Sequence, residues 1–328
     1  MPATLPAVSV VIPTHNRRPL LQRALRAVLA QEQVEVQVVV VNDGSSDDTA
    51  EYLGALQDPR VEHLNLSPPR KTSGARNAGL EQSRHAWVAF LDDDDVWGPR
   101  RLASQLEALA VSGDVWAVSD AVLIDEQLNV VGVHQVVPDV DMSRELLSRN
   151  IVPGGGSGVV AQTSVVRELG GFDTTQATGC EDWDLWIRLA RVSPLTTVPR
   201  ADVGYLLHTG SMSRRIADME AARNSVLFKY QNERAEAGVE GDDEWWDSYV
   251  LGLHLSSGRR LPAARRRFSM LRSPRPRDLA GVLATLAAPK AVERRHHERL
   301  LDAYGRERIA EADGWLADLR DGTRPQDG

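Results

Sequence analysis

Two short runs rich in β-branched residues constrain the fold of this chain more than any other feature. Val8–Ile12 ends at Pro13, and Val36–Val41 ends at the turn-forming residues 42–44. Runs that are apolar on both faces are typical of strands buried within a parallel sheet. Between them, residues 19–30 place leucine, alanine and valine at helical spacing. The pattern therefore predicts a strand–helix–strand unit.

The same alternation continues to about residue 120. It predicts a helix from residue 46 or 47 towards 56, a strand over 61–66, a helix over 73–82 and a strand over 87–91. Further along, it predicts strands over 115–124, 130–137 and 203–207, and helices over 163–169 and 181–191. Alternating strands and helices predict an α/β fold with a mostly parallel, Rossmann-like sheet flanked by helices. Ligands then bind at the carboxyl ends of the strands.

The character of the sequence changes after about Ile216, where alanine and arginine become abundant and β-branched runs become few. The segment 259–277 holds eight arginines and no acidic residue. A length of 328 residues suggests two units at roughly 150 residues each. We therefore predict an α/β domain over residues 1–218 and a helical C-terminal extension over 219–328.

Composition excludes several classes of protein. The chain has 38 Lys and Arg against 46 Asp and Glu, a formal charge of −8, which argues against a general nucleic-acid binder. Its single cysteine, Cys180, can form neither an intrachain disulfide nor a cysteine-based zinc site. No apolar run approaches the roughly 18 residues of a membrane span, and residues 1–7 lack the pattern of a signal peptide. The predicted location is the cytoplasm.

The arginine-rich segment leaves one question of location open. Arginines at this density usually form a solvated helical face. The alternative is peripheral contact of Arg259–Arg277 with anionic lipid or a lipid-linked acceptor at the inner face of the membrane.

Four consecutive carboxylates, Asp92–Asp95, follow the apolar strand that ends at Leu91. Adjacent like charges repel, so a fold tolerates them best where a cation or solvent neutralises them. Mg²⁺ and Mn²⁺ take oxygen ligands, typically one or two carboxylates together with substrate phosphates. The run is therefore either a divalent-metal site or a solvated acidic turn that caps the following helix.

Polar residues also follow the other predicted strands. Asp43, beside Gly44, could accept hydrogen bonds from a base or a ribose, or could form an Asx turn. Residues 13–17 end the first strand with polar groups that could instead cap the next helix. Arg76 lies in a small-residue helix start, where a helix N-terminus and a guanidinium suit a phosphate; close helix packing is the other interpretation.

The pair Glu181–Asp182 begins a helix. One carboxylate could act as a general base towards a substrate hydroxyl, or both could simply complement the helix dipole. Cys180 stands beside the pair with no histidine to complete a thiol dyad, so a catalytic cysteine is not expected. His208 ends a strand, where it could reach a metal or a diphosphate or simply lie on the surface.

The order of these clusters closely resembles that of the family 2 glycosyltransferases of the GT-A fold. The resemblance covers about residues 8–213, roughly two thirds of the chain. It is carried by the segments VVIPTHNR at 10–17, VNDGSSDDT at 41–49, GARNAG at 74–79, FLDDDD at 90–95, GGFD at 170–173 and CEDWDL at 180–185.

The resemblance implies a role for each matching residue. On the donor side, Pro13, Thr14, Asn16, Arg17, Asp43, Gly44, Arg76, Asp92 and Asp93 would surround the nucleotide and its phosphates. Asp94 would ligate Mn²⁺ or Mg²⁺, with His208 touching the metal or the diphosphate. The four-acid run leaves this register open by one residue, so Asp93 or Asp95 could share the task. Glu181–Asp182 would supply the catalytic base, preferably Asp182, and Gly171 and Phe172 would shape the acceptor side.

The implied activity is inverting transfer of a sugar from a nucleoside-diphosphate sugar, with UDP-sugars favoured, to an acceptor hydroxyl in polysaccharide or glycoconjugate synthesis. Donor sugar, acceptor and oligomeric state stay open. The alternatives are a metal-dependent nucleotidyltransferase or phosphohydrolase, and a non-catalytic sugar-nucleotide binding module. The former gives no reason for the Glu181–Asp182 pair or for the segment around Arg76, and the latter gives none for a complete set of acids.

Overall fold

A central nine-stranded sheet organises the computed structural model, which describes residues 5–136, 140–176, 179–208, 215–256, 259–271, 276–288 and 303–321. The strands are β1 Val8–Thr14, β2 Val36–Asn42, β3 Val61–Asn65, β4 Trp87–Phe90, β5 Val96–Trp97, β6 Trp116–Ile124, β7 Val130–His134, β8 Val159–Gln162 and β9 Thr196–Leu206. Their order is β3-β2-β1-β4-β8-β6-β9-β5, with β7 paired to β6.

Helices flank this sheet and fill most of the C-terminal third. They are α1 Arg18–Leu29, α2 Thr49–Ala55, α3 Lys71–Gln82, α4 Arg101–Ser112, α5 Met142–Glu145, α6 Thr163–Glu168, α7 Glu181–Ala190, α8 Ile216–Lys229, α9 Gln231–Ala237, α10 Asp243–Ser256, α11 Arg260–Ser269, α12 Pro276–Ala287 and α13 Ala303–Asp321. Within the described ranges, no helix has both the length and the apolar character needed to cross a bilayer.

The sheet is mostly parallel, as predicted. Strands β3, β2, β1 and β4 pair in parallel, and β6 and β9 run in the same direction. Strand β8 is antiparallel to both β4 and β6, and so joins the two parallel groups. The carboxyl ends of β1, β2, β4 and β9 consequently meet at one edge of the sheet.

The apolar strands are buried on both faces, which confirms the first expectation from the sequence. Val11, Val39 and Val41 belong to one core cluster with Phe90. Their neighbours in the chain, including Val10, lie in a second cluster on the opposite face. Because successive side chains of a strand point to opposite faces, a run of valines fills both cores at once.

The predicted last strand, over 203–207, is the end of a longer one. Strand β9 begins at Thr196, and the register against β6 shifts between Ser119 and Ala121. The shift leaves out Pro199, which has no backbone N–H to donate to a neighbouring strand. The first half of β9 contains this proline and alternates buried with exposed side chains, so it forms no continuous apolar run that would have predicted a strand.

Two C-terminal helices join the core of the sheet. Residue 218, the predicted domain boundary, lies inside α8, whose Ala222 and Val226 are buried in the cluster that contains Trp186. On α13, Trp315 donates a hydrogen bond from Nε1 to the carbonyl of Ala201 at 2.9 Å. The division at residue 218 stays a prediction, but these helices contribute apolar side chains to the same core as the strands.

Candidate active site

A cavity of about 350 Å³ opens at the carboxyl edge of β1, β2 and β4. Most of the predicted site residues line it: Pro13, Thr14, Arg17, Asp43, Arg76, Asp92, Asp93, Asp94, Glu181 and Asp182. A second hollow, of about 510 Å³, lies between α5 and the loop after α7 and contains none of them. The smaller cavity is therefore the candidate active site, because residues distant in sequence meet there at the strand ends.

Asp93 and Asp94 are held by partners from the first strand end and from β9. Asp93 accepts a hydrogen bond from Thr14 Oγ1 at 2.7 Å and one from Arg17 Nη1 at 3.2 Å. Asp94 Oδ2 lies 2.9 Å from Arg17 Nη1 and 3.0 Å from His208 Nε2. The guanidinium of Arg17 thus partly neutralises two neighbouring carboxylates at the mouth of the cavity.

Asp95 points away from the cavity. Its carboxylate accepts hydrogen bonds from Ser157 Oγ at 2.6 Å and from the backbone N–H of Leu206 at 2.9 Å, and the residue is only 1% exposed. Ser157 Oγ also accepts from the backbone N–H of Asp92. Asp95 therefore ties the acidic turn to the end of β9, two residues before His208, and is not placed to share metal binding.

Burial, together with neighbouring like charges, raises the pKa values of Asp92, Asp93 and Asp95. Burial, followed by the charge of Asp94, raises the pKa of Asp93 to about 7. The same two causes raise the pKa of Asp95 well above its usual range. Six carboxyl groups and two arginines line the cavity, an imbalance that favours a cationic ligand.

Arg76 joins the acidic turn to the helix start at Glu181. Its guanidinium donates to Asp92 Oδ1 at 2.5 Å and to Glu181 Oε1 at 2.9 Å. Burial opposes the charge on Arg76, but the two carboxylates outweigh it and raise the pKa of the guanidinium. The ring of Phe172 lies 5.0 Å below this cation. Residues 105 positions apart in the chain are thereby held together.

Glu181 and Asp182 have different surroundings. Both oxygens of Glu181 accept hydrogen bonds, from Arg76 and from the backbone N–H of Gly179 at 2.7 Å. Asp182 accepts one hydrogen bond, from the N–H of Trp183 to Oδ1, and lines the cavity. Burial, followed by the charge of Glu181, raises the pKa of Asp182 to about 7. Asp182 is thus the member of the pair suited to take a proton near neutral pH.

A glycine turn forms the wall opposite these groups. A Cβ atom at Gly156 would lie 2.8 Å from Arg76 Nη2, and one at Gly155 would lie 3.0 Å from Asp182 Oδ2. Both glycines line the cavity. The sequence has three consecutive glycines at 154–156, and it predicts no chemical role for them.

Three predicted site residues do not line the cavity. Asn16 Oδ1 instead accepts from the backbone N–H groups of Ser46 and Asp47, and Gly44, at φ 73°, lets the loop around Pro69 approach closely. These two residues shape the loop beside Asp43. His208 reaches the edge of the site through Asp94.

Phe172, expected on the acceptor side, is 1% exposed and packs beneath Arg76. Its backbone exchanges two hydrogen bonds of 2.8 Å with the side chain of Asn77. Conversely, Thr72, Tyr205 and Met219 line the cavity without having been predicted. Thr72 lies in the first turn of α3, four residues before Arg76. Strand β9 and helix α8 bring Tyr205 and Met219 to the site from distant parts of the chain, and no polar motif marked either of them.

Asp94 and His208 form a donor pair that fits a divalent metal ion. Within the described ranges, no group of three or more His, Cys, Asp or Glu side chains could hold such an ion unaided. A carboxylate oxygen and an imidazole nitrogen 3.0 Å apart are nevertheless suitable ligands when phosphate oxygens complete the coordination. Gly210 and Ser211, which follow His208 in the sequence, lie outside the described residues.

Comparison with known proteins agrees with this geometry. Residues 9–153 match the family model described as glycosyl transferase family 2. Over this segment the chain is therefore similar to the family 2 glycosyltransferases. Its predicted GT-A fold is confirmed by similarity to solved glycosyltransferase structures.

Two of these structures cover almost the whole chain. The Staphylococcus aureus TarS fragment 1–349 in complex with UDP-GlcNAc has a TM-score of 0.54 and 15% identity, covering 96% of this chain and 92% of that one. The mannosyltransferase PcManGT from Pyrobaculum calidifontis, in complex with GDP-Man and Mn²⁺, has a TM-score of 0.55 and 18% identity, covering 98% and 89%. At these identities the similarity concerns the fold.

Among curated relatives, the succinoglycan biosynthesis protein ExoO of Rhizobium meliloti is 41% identical over 123 residues, 37% of this chain and 35% of that protein. The aligned part of this chain thus spans about a third of that relative. The Escherichia coli protein WfaP, a UDP-Glc:α-D-GlcNAc-diphosphoundecaprenol β-1,3-glucosyltransferase, is 23% identical over 207 residues, 63% of this chain and 79% of that protein.

Proposed function

We propose that this chain transfers a glycosyl group from a nucleoside-diphosphate sugar to an acceptor hydroxyl, with inversion at the anomeric carbon and Asp182 as the general base. The observation that carries the proposal is the placement of Asp182. It lines the cavity that also contains Asp92, Asp93 and Asp94, and its pKa of about 7 suits proton transfer at neutral pH.

The donor side is proposed at the ends of β1, β2 and β4. Thr14 and Asp43 would bind the base and ribose, with Arg17 and Arg76 placed towards the phosphates. UDP-sugars are the preferred donors, which is supported by the UDP-glucose in the name of WfaP and by the UDP-GlcNAc bound to TarS. The GDP-Man complex of PcManGT keeps a GDP-sugar as the alternative.

Asp94 and His208 would hold Mn²⁺ or Mg²⁺ together with the diphosphate of the donor. When bound, such an ion stabilises negative charge on the departing diphosphate as a Lewis acid. Arg17 contributes a fixed positive charge beside the same carboxylates. Asp95 and Ser157 keep the acidic turn and the end of β9 in register, so that Asp94 and His208 face each other.

The chemical step is a single displacement. Asp182 takes the proton of the acceptor hydroxyl while the oxygen of that hydroxyl forms a bond to the anomeric carbon. The bond from that carbon to the diphosphate oxygen breaks, and the nucleoside diphosphate leaves. No enzyme nucleophile is required. The surroundings of Cys180 support this, since burial and the charges of Asp182 and Glu181 raise the pKa of its thiol well above the usual range.

The proposed acceptor is a lipid-linked glycan in the synthesis of a polysaccharide or glycoconjugate. WfaP is named for a diphosphoundecaprenol-linked acceptor. A Campylobacter jejuni relative, 38% identical over 94 residues, is named a GalNAc(5)-diNAcBac-PP-undecaprenol β-1,3-glucosyltransferase. With such an acceptor, the protein would act at the surface of a membrane as a peripheral protein.

The test measures release of nucleoside diphosphate from candidate donors with Mn²⁺, with and without an undecaprenyl-diphosphate-linked acceptor. We expect release to depend on the acceptor and the product to have the inverted anomeric configuration by NMR. Asp182→Asn should abolish transfer but keep the donor-dependent rise in melting temperature. Equal release without an acceptor would indicate a hydrolase, and full turnover by Asp182→Asn would remove Asp182 as the base.

A further inference from the structure

Helix α11 exposes large apolar side chains to solvent. Leu261 is 65% exposed and Phe268 is 51% exposed, and on the neighbouring α12 Leu283 is 64% exposed. Leu261, Arg265 and Phe268 follow one another at spacings of four and three residues, so they form one stripe along the helix. The opposite face is buried, with Ala263 in a cluster with Leu251 and Leu255 of α10.

The charge of α11 is entirely positive, with four arginines and no acidic residue. Two of these arginines are used inside the protein. Arg266 forms ion pairs with Glu220 at 3.0 Å and Asp247 at 2.9 Å, and Arg267 donates to Thr285 Oγ1 at 3.4 Å.

The remaining cations of α11 and its N-cap are at the surface. Arg259, Arg260 and Arg265 are exposed, and the described part of the chain offers them no ion pair. The basic surface that the sequence suggested over Arg259–Arg277 is therefore reduced, among the described side chains, to these three arginines. Arg266 and Arg267 face inwards, Arg272 and Arg275 lie outside the described residues, and the side chain of Arg277 is not described.

We propose that the stripe Leu261–Arg265–Phe268, flanked by Arg259 and Arg260, docks the protein on an anionic lipid surface. The chain as a whole carries a charge of −8, so an anionic bilayer repels most of it and attraction must come from a local basic patch. Exposed leucine and phenylalanine would enter the interface between lipid headgroups and acyl chains. Arginine would lie along the apolar surface with its charged end among the phosphates.

A nucleic acid fits this surface less well, because apolar side chains alternate with the cations and contribute nothing to phosphate contacts. A second copy of this chain is disfavoured by the cations themselves, since a symmetric contact would place the same arginines opposite each other. Anionic lipid satisfies both kinds of side chain at once.

The stripe is linked to the proposed active site through α8. Arg266 anchors α11 to Glu220, which follows Met219, a residue that lines the cavity. A surface held on the bilayer by α11 would keep this wall of the cavity close to a lipid-linked acceptor. The functional meaning of the docking surface therefore rests on the proposed function, whereas lipid binding itself does not.

The test is co-sedimentation of the whole 328-residue chain with phosphatidylcholine vesicles, with or without phosphatidylglycerol. We expect binding to the anionic vesicles and its loss at high salt. Arg265→Ala should weaken this binding about fivefold, the share of one arginine at an anionic surface. Phe268→Ser should weaken it about tenfold or more, because the ring no longer leaves water. Both side chains are exposed, so the melting temperature should not change.

Phe228→Ser is the matched control, since Phe228 is 71% exposed on α8 and outside the stripe; it should bind as the wild type does. Asp182→Asn should also bind normally, so loss of transfer activity and loss of docking are told apart. Absence of vesicle binding, or equal binding by Arg265→Ala, Phe268→Ser and Phe228→Ser, would overturn the proposal. The proposal would also be overturned if the protein bound no vesicles but formed a dimer or a nucleic-acid complex that Phe268→Ser and Arg265→Ala disrupt.

Discussion

At the scale of single residues, Arg76 joins two parts of the site that are distant in sequence. It is 2% exposed and holds Asp92 and Glu181 from opposite sides. A buried ion pair adds little net stability over apolar residues, but removal of one partner leaves uncompensated buried charge. Three ionised groups from α3, the acidic turn and α7 therefore depend on one another.

We predict that Arg76→Ala lowers the free energy of unfolding by about 3–5 kcal/mol, the usual cost of a buried ion pair that loses one partner. Urea denaturation at pH 7 measures the change. Arg60→Ala is the control, because Arg60 pairs with Asp58 at the surface and such pairs contribute about 0–1 kcal/mol. Equal losses for the two variants would contradict the central role of Arg76.

The raised pKa of Asp182 predicts the pH dependence of transfer. A general base must be ionised, so activity should rise with pH through about 7, and at pH 6 about a tenth of the molecules would have Asp182 ionised. Initial rates with saturating donor and acceptor between pH 5.5 and 8.5 provide the measurement. A flat profile over this range would argue against Asp182 as the base.

The raised pKa of Asp182 also predicts that the stability of the fold falls as pH rises, opposite to the expected rise in activity. Folding raises the pKa of Asp182 from 3.8 to about 7, so the folded state binds the proton more tightly than the unfolded chain. The stabilisation is complete below the unfolded pKa and is lost as pH rises through about 7. Urea denaturation at pH 4.5 and pH 7.5 should show a larger decrease for the wild type than for Asp182→Asn.

At the scale of elements, the glycine turn before β8 determines how closely α3 and α7 approach each other. Gly155 and Gly156 lie against Asp182 and Arg76, and Ser157 of the same turn binds Asp95. The turn therefore contacts the proposed base, the bridging arginine and the acidic turn. The turn needs small residues because larger side chains would collide with Asp182 and Arg76.

We predict that Gly156→Ala lowers the free energy of unfolding by about 1–3 kcal/mol and weakens donor binding, because its Cβ would lie 2.8 Å from Arg76 Nη2. Gly54→Ala is the control: that glycine lies in α2 with no neighbouring atom within 4 Å of an added Cβ. It should be neutral or slightly stabilising. Denaturation and donor-dependent melting shifts test both, and unaltered behaviour of Gly156→Ala would contradict the close contact.

At the scale of the whole molecule, the C-terminal helices are part of the folded core. Leu316 of α13 is fully buried together with Val122, Ile124 and Leu206 of the sheet. Met219 of α8 lines the cavity, and Ala222 and Val226 pack with the residues of α7. The segment after residue 218 thus covers apolar surface that the strands alone would leave exposed to water.

We predict that a chain ending at residue 218 is insoluble, because it lacks the buried side chains of α8 and α13. Leu316→Ala tests the same contact in the full chain and should lower the free energy of unfolding by about 2–5 kcal/mol. Val111→Ala, at an 89% exposed position on α4, should change it little. A soluble, cooperatively folding fragment 1–218 would instead support the predicted two-domain division.

How far the sequence predicts the molecule differs between elements. The strands from β1 to β4 and the helices between them were predicted to within a few residues. Their valine-rich runs and amphipathic spacing are properties of short segments and do not depend on distant partners. The first half of β9 was missed, because Pro199 and a register shift against β6 interrupt the pattern.

By itself, the sequence determined the α/β class, the strand ends at which acids gather, and the family to which the first half of the chain is similar. Only the tertiary structure decided that Asp95 points inwards, that Arg76 joins Asp92 to Glu181, and that Phe172 lies beneath the site. The physical reason is distance along the chain. Local hydrophobicity and turn chemistry act between neighbouring residues. The partner of a buried charge instead depends on which strands the sheet places side by side.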